Sequence, residues 1–146
     1  MSTSRRGLSG LTALVVDDSA AVRKQVGLTL QRIGLNTVEA EDGAAAWRQL
    51  QAGDADIILT DVNMPVMDGL KLISLVRSVE SHQRTPIVVI TSESADEDRR
   101  RAEGLGASAY LLKPVQVHRL VRVVRRLLSH EERDPEPSGG AGEPQA

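Results

Sequence analysis

The 146-residue chain contains no cysteine, which excludes disulfides and thiolate metal sites and leaves the redox compartment open. Long hydrophobic runs are also missing. The longest apolar stretches are strand-sized, too short to cross a bilayer. No GxxxxGK segment occurs, so there is no P-loop. Charge of either sign is not in excess: the formal net charge of -2 argues against non-specific nucleic-acid binding. What remains is ordinary for a soluble globular domain, with 40% hydrophobic and 26% charged residues. The length suits one domain around one core. Ser4-Arg5-Arg6-Gly7 faintly matches a twin-arginine export signal, but Asp17-Asp18 break the apolar run that follows, so a cytoplasmic location is expected.

Strand-like and helix-like segments alternate five times, with no other repeat. After a polar lead over residues 1–10, expected to be disordered, residues 11–16 form a continuous apolar run suited to a strand buried on both faces. Ser19 can cap a helix in which Val22, Val26, Leu30 and Ile33 recur near a 3.6 period, and Gly34 supplies its stop. Residues 36–40 read as a weaker strand at the sheet edge, 43–50 as a short helix and 56–60 as the third strand. Asp68 can cap a helix from Gly69 to about Glu80 with Leu72, Ile73 and Val76 on its apolar face, and Pro86 opens a fourth strand ending at Thr91. Residues 95–105 are helical with few core anchors, which predicts a loosely held helix. Asp96 and Arg100, and Glu97 and Arg101, are spaced for i,i+4 pairs. Residues 109–112 give the fifth strand. A last helix over 117–130 carries an apolar stripe of Val117, Leu120, Val121, Val124 and Leu127, with Arg119, Arg122, Arg125 and Arg126 away from it. Residues 131–146 shift to Pro, Gly, Glu and Ser, a composition expected to stay disordered, with no output domain after it.

Five βα units with right-handed crossovers imply an α/β fold, a doubly wound five-stranded parallel sheet flanked by five helices. The common flavodoxin-like order at this size is 2-1-3-4-5. A parallel sheet gathers the carboxyl ends of its strands at one edge, where ligands bind. At those ends stand Asp17 and Asp18, Asp61, Thr91 and Lys113. Three acids, a hydroxyl and an amine are therefore expected in one pocket. Clustered carboxylates repel unless a cation offsets them, and Mg²⁺ suits a site of few carboxylates with room for water and phosphate. A carboxylate beside Mg²⁺ and a lysine can attack phosphorus to give an acyl phosphate.

With Val15-Val16-Asp17-Asp18-Ser19, Asp61 followed by Val-Asn-Met-Pro-Val-Met-Asp-Gly, Thr91-Ser92-Glu93 and Tyr110-Leu111-Leu112-Lys113-Pro114, the chain resembles a response regulator receiver domain of two-component signalling, the stand-alone chemotaxis type included. The resemblance covers residues 11–130. It implies that Asp61 accepts a phosphoryl group from a phosphohistidine on a sensor histidine kinase or phosphotransfer protein. It further implies that Asp18, Asp61 and the Asn63 carbonyl bind Mg²⁺, with Asp17 acting through a water. Lys113 would pair with the phosphoryl oxygens and Thr91 would hydrogen-bond to them. Thr91 would then move and Tyr110 would turn inward, altering the surface of the fourth helix, fifth strand and fifth helix that a downstream protein reads. Asn63 and Glu93 would tune dephosphorylation, and that pairing leads to the expectation of a short-lived phosphorylated state. The family has a cis Lys113-Pro114 peptide, whereas the residues alone favour trans. Such a protein is a phosphoacceptor contributing to its own phosphorylation and dephosphorylation, not an enzyme in the usual sense.

Met64-Pro65 and Asp68-Gly69 read as a turn and a helix start. His118 lacks metal-ligand partners at helical spacing and reads as a surface residue, and His82 and His130 are similarly unpartnered. Trp47 reads as packing, remote from the acid pocket. The arginine stripe reads as a solvated face. A Mg²⁺-dependent phosphohydrolase with an aspartate nucleophile would need a general acid two positions after Asp61, where Asn63 stands. A phosphorelay intermediate, a phosphate sink and a phosphorylation-dependent dimer stay open, and neither nucleic acid nor membrane insertion is expected.

Overall fold

Apolar segments alternate with capped amphipathic ones, and the observed architecture follows them. The computed structural model describes residues 8–132. The elements are β1 (Thr12–Val16), α1 (Ala20–Arg32), β2 (Asn36–Ala40), α2 (Gly43–Ala52), β3 (Ile57–Thr60), α3 (Gly69–Ser78), a 3₁₀ turn (Glu80–His82), β4 (Ile87–Thr91), α4 (Asp96–Leu105), β5 (Ala109–Leu112) and α5 (Val117–Glu132). All neighbouring strands are parallel, in the order β2-β1-β3-β4-β5.

The side-chain alternation of a strand divides the core in two. Ala13, Val15, Ile57, Leu59, Val88 and Ile90 face α1 and α5, where Val26, Leu30, Leu120 and Val124 meet them. Leu14, Val16, Ile58, Ile87 and Val89 face the opposite way, against Ala46, Leu50, Leu72, Ile73, Val76 and Ala102 of α2, α3 and α4. Both faces of β1, β3 and β4 are thus covered, which explains their unbroken apolar runs.

Three helices begin as the sequence indicates. Ser19, Asp42 and Asp68 each accept a hydrogen bond from the main-chain N–H three residues on, at 3.2, 2.8 and 2.9 Å. α4 has no side-chain cap, and its first-turn acids Asp96, Glu97 and Asp98 complement the helix dipole instead. Of the two ion pairs expected along it, Glu97–Arg101 is present at 3.7 Å; Arg99–Glu103 forms a second at 3.7 Å.

Four local readings differ from the structure. Leu8, assigned to the lead, is buried in the core and its carbonyl accepts from Leu11 N–H; residues 1–7 lie outside the described residues. The buried stripe of α5 is Leu120, Val123, Val124 and Leu128, while Val117 is 52% exposed. Both stripes share Leu120 and Val124, and only docking against the sheet selects between them. α3 stops at Ser78, and the 3₁₀ turn swings His82 inward. There its Nδ1 lies 3.1 Å from Thr85 Oγ1 and its Nε2 3.5 Å from Asp54 Oδ1, so it is neither exposed nor without partners. The Lys113-Pro114 peptide is cis. Trp47, on α2, is half-buried and packs against the core as expected. α5 extends through Glu132; residues 133–146 and the His130 side chain lie outside the described residues.

Candidate functional site

The strand ladder continues one residue past β1, β3 and β5, and that continuation fixes the main chain of Asp17, Asp61 and Lys113. Asp17 N–H donates to Ala40 O at 3.1 Å, Asp61 N–H to Val16 O at 3.1 Å, and Lys113 N–H to Thr91 O at 2.8 Å. Their side chains emerge together at the carboxyl edge. Lys113 Nζ lies 2.7 Å from Asp61 Oδ2 and 2.8 Å from Asp17 Oδ2. Asp61 Oδ1 faces the other way and accepts from the N–H groups of Val62 and Asn63. Asp17 Oδ1 accepts from Ser19 N–H at 2.9 Å. Asp17 and Asp61 are buried, whereas Asp18 is exposed.

Burial lowers the pKa of Lys113, but hydrogen bonds to Asp17 and Asp61, and then their charges, outweigh it and leave the ammonium above its ordinary value. One cation cannot balance three acids. Carboxylate oxygens of Asp17, Asp18 and Asp61 lie within 4.8 Å of one another. That hard-oxygen donor set, two positive charges short of balance with Lys113 alone, fits Mg²⁺.

A second hydrogen-bonded group lies beside the first. Thr91 is fully buried, and its hydroxyl oxygen accepts from Glu93 N–H at 3.3 Å. Tyr110 O–H donates to the Glu93 carbonyl at 2.9 Å. The ring is buried, with the Arg99 guanidinium 5.7 Å from its centroid. Burial, followed by the charges of Asp98 and Glu93, raises the Tyr110 pKa; Arg99 opposes them. The two groups are joined by Asn63, whose Nδ2 donates to Glu93 Oε2 at 2.6 Å while its main chain touches Asp61.

All eight residues singled out in the sequence therefore fall into two linked clusters: Asp17, Asp18, Asp61 and Lys113 directly, Thr91, Glu93 and Tyr110 together, and Asn63 between them. Gly69 has a larger part than a helix start. Its N–H donates to Val62 O at 2.9 Å, and a Cβ at this position would overlap the carbonyl of Asp61. The loop after Asp61 also holds Val66 at φ +67, a left-handed conformation costly for a β-branched residue, with Met67 N–H closing on Pro65 O at 2.7 Å.

Residues 13–125 match the family model of the response regulator receiver domain. The chain belongs to that family. This receiver is 42% identical over 103 residues to the chemotaxis protein CheY1 of Helicobacter pylori, covering 69% of this chain and 83% of that protein. It is 37% identical over 118 residues to the gliding motility regulatory protein of Myxococcus xanthus; that match takes 80% of this chain but only 15% of the relative. The solved structure of chemotaxis protein CheY4 from Vibrio cholerae superposes with a TM-score of 0.76 at 35% identity, over 80% of this chain and 98% of that one. The receiver thus belongs to two-component signalling, and receiver domains bind Mg²⁺ at an acidic pocket of the kind found here. Among the described residues, no helix is long and apolar enough to cross a membrane.

Proposed function

We propose that the protein is a phosphorylation-dependent switch in which Asp61 accepts a phosphoryl group from a sensor histidine kinase or phosphotransfer protein. The observation carrying this reading is the contact of Asp61 Oδ2 with Lys113 Nζ at 2.7 Å, inside a three-carboxylate cluster. Asp61, which follows β3 between β1 and β4, serves as nucleophile: its oxygen forms the bond to phosphorus as the bond to the donor's leaving group breaks. Lys113 stays charged and takes up negative charge on the transferred group. Asp18, Asp61 and Asn63, with Asp17, would hold Mg²⁺, which when bound shields the phosphoryl oxygens from the carboxylates. Asn63 at the position two after the nucleophile holds an amide that donates to Glu93, which disfavours the phosphohydrolase alternative because no acid stands there.

Once phosphorylated, Asp61 offers new acceptor oxygens, for which Lys113 and the Thr91 hydroxyl are the nearby donors. A Thr91 hydroxyl drawn toward them gives up its bond from Glu93 N–H, and Glu93 is also where Tyr110 is tethered. The surface of α4, β5 and α5 is thereby read by a downstream protein. The Asn63–Glu93 pair tunes the lifetime of the phosphoryl group by shaping water access, toward a short-lived phosphorylated state. The test is to treat the protein with Mg²⁺ and a small acyl phosphate while following Tyr110 and its neighbours by NMR. Phosphorylation is expected to shift α4, β5 and α5 resonances in the native protein but not in Lys113→Ala. Labelled protein with an unchanged α4–β5–α5 surface would refute the switch.

A further inference from the structure

Arg23 stands in the second turn of α1, one turn after the capping Ser19, and the chemistry described so far does not use it. Its side chain is only 17% exposed, and its guanidinium is forked. Nε donates to Glu39 Oε1 at 2.9 Å, and Nη1 donates to the main-chain carbonyl of Asp17 at 2.7 Å. Glu39 precedes Ala40, whose carbonyl accepts from Asp17 N–H. The main chain of Asp17 is therefore tied at both its N–H and its C=O to the same end of β2.

The carbonyl is the more consequential tie. A peptide unit is planar, so the Asp17 carbonyl shares its plane with the nitrogen and Cα of Asp18. Asp18 is the acid of the cluster that has no side-chain hydrogen bond or ion pair among the described residues. Asp17 and Asp61 are held by Lys113; Asp18 is held only by its backbone, against repulsion from two neighbouring carboxylates. Arg23 grips that backbone.

We propose that Arg23 is a positioning residue for the metal site: the Glu39–Arg23–Asp17 brace sets the peptide plane that aims Asp18 at Asp61, and so sets the affinity for Mg²⁺. This rests on the reading of the acid cluster as a Mg²⁺ site. A planar fork with two divergent donors meets both acceptors at once, whereas a lysine at this position would supply charge without the fork.

The test is Mg²⁺ titration of the full chain by calorimetry, with denaturation midpoints checked for each variant. Arg23→Lys retains the charge and is expected to weaken Mg²⁺ binding about tenfold, the scale of outer-shell losses at metal sites. Glu39→Ala is expected to weaken it by less. Glu39→Gln, which still offers an oxygen to Nε, is expected to restore it. Arg23→Lys binding Mg²⁺ as the native protein does would overturn the proposal. So would equal weakening by Glu39→Ala and Glu39→Gln, which would trace the effect to charge alone. If Arg23→Lys does not fold, the Glu39 pair decides, since that side chain is 45% exposed. Asp18→Asn separates the underlying reading. A native protein without saturable Mg²⁺ uptake, or Asp18→Asn binding as tightly as native, would sink the metal site itself and this proposal with it.

Discussion

At the residue scale, the electrostatics of Lys113 sets a pH limit on the fold. Its pKa is raised above 10.5 in the folded protein because its bonds to Asp17 and Asp61 outweigh the opposing effect of burial. Its stabilising contribution is therefore complete below the unfolded value and is lost as pH rises through the folded one. Tyr110, raised above 10.0 by burial and nearby acids, acts in the same direction. Denaturation midpoints measured from neutral to alkaline pH should fall above about pH 10, the ordinary range for both groups, and less steeply in Lys113→Met. Gly69 gives a steric prediction. Alanine there must push the Asp61 carbonyl aside, at a cost of about 1–3 kcal/mol in chemical denaturation. Gly53→Ala, where a Cβ meets nothing within 4 Å, is the control expected to lose little.

At the element scale, local signals were legible in the sequence and relational ones were not. Ser19, Asp42 and Asp68 stand as caps because capping depends on a residue and the N–H three positions on; of these, Ser19 and Asp68 were read directly. The expected α5 stripe shares Leu120 and Val124 with the buried one but takes Val117 in place of Val123, because both suit a 3.6 period and only contact with the sheet buries one of them. The burial of His82 is relational in the same way, since it follows from α3 ending at Ser78. Arg23 was overlooked, although its place four residues after a cap, with side chains leaning toward the helix N-terminus, could have marked it as reaching back to the acid loop. The sparse apolar face of α4 is visible in its sequence and in its packing: Ala102 is its one buried residue. Hydrogen exchange should accordingly be faster in α4 than in α3, which buries Gly69, Leu72, Ile73 and Val76. Equal protection of the two helices would count against a readily displaced α4.

At the scale of the whole molecule, the parallel sheet turns distant sequence positions into one site. Asp17, Asp61 and Lys113 each follow a different strand, and the ladder bonds that carry on past Val16, Thr60 and Leu112 hold their backbones in register. The strand-end rule made that convergence legible, since it depends on topology and not on side-chain detail. The Asn63–Glu93 and Tyr110–Glu93 bonds, which link the acid cluster to the α4–β5–α5 side, depend on loop conformation, which no strand-end pattern encodes. The account stands on Asp61 as the nucleophile, and the most direct measurement is Mg²⁺-dependent incorporation of phosphate from a radiolabelled acyl phosphate into the native protein and into Asp61→Asn. One alkali-labile phosphoryl group per native chain and none in Asp61→Asn is the predicted result. Equal incorporation by the two proteins, or none by the native protein with Mg²⁺ present, would contradict it.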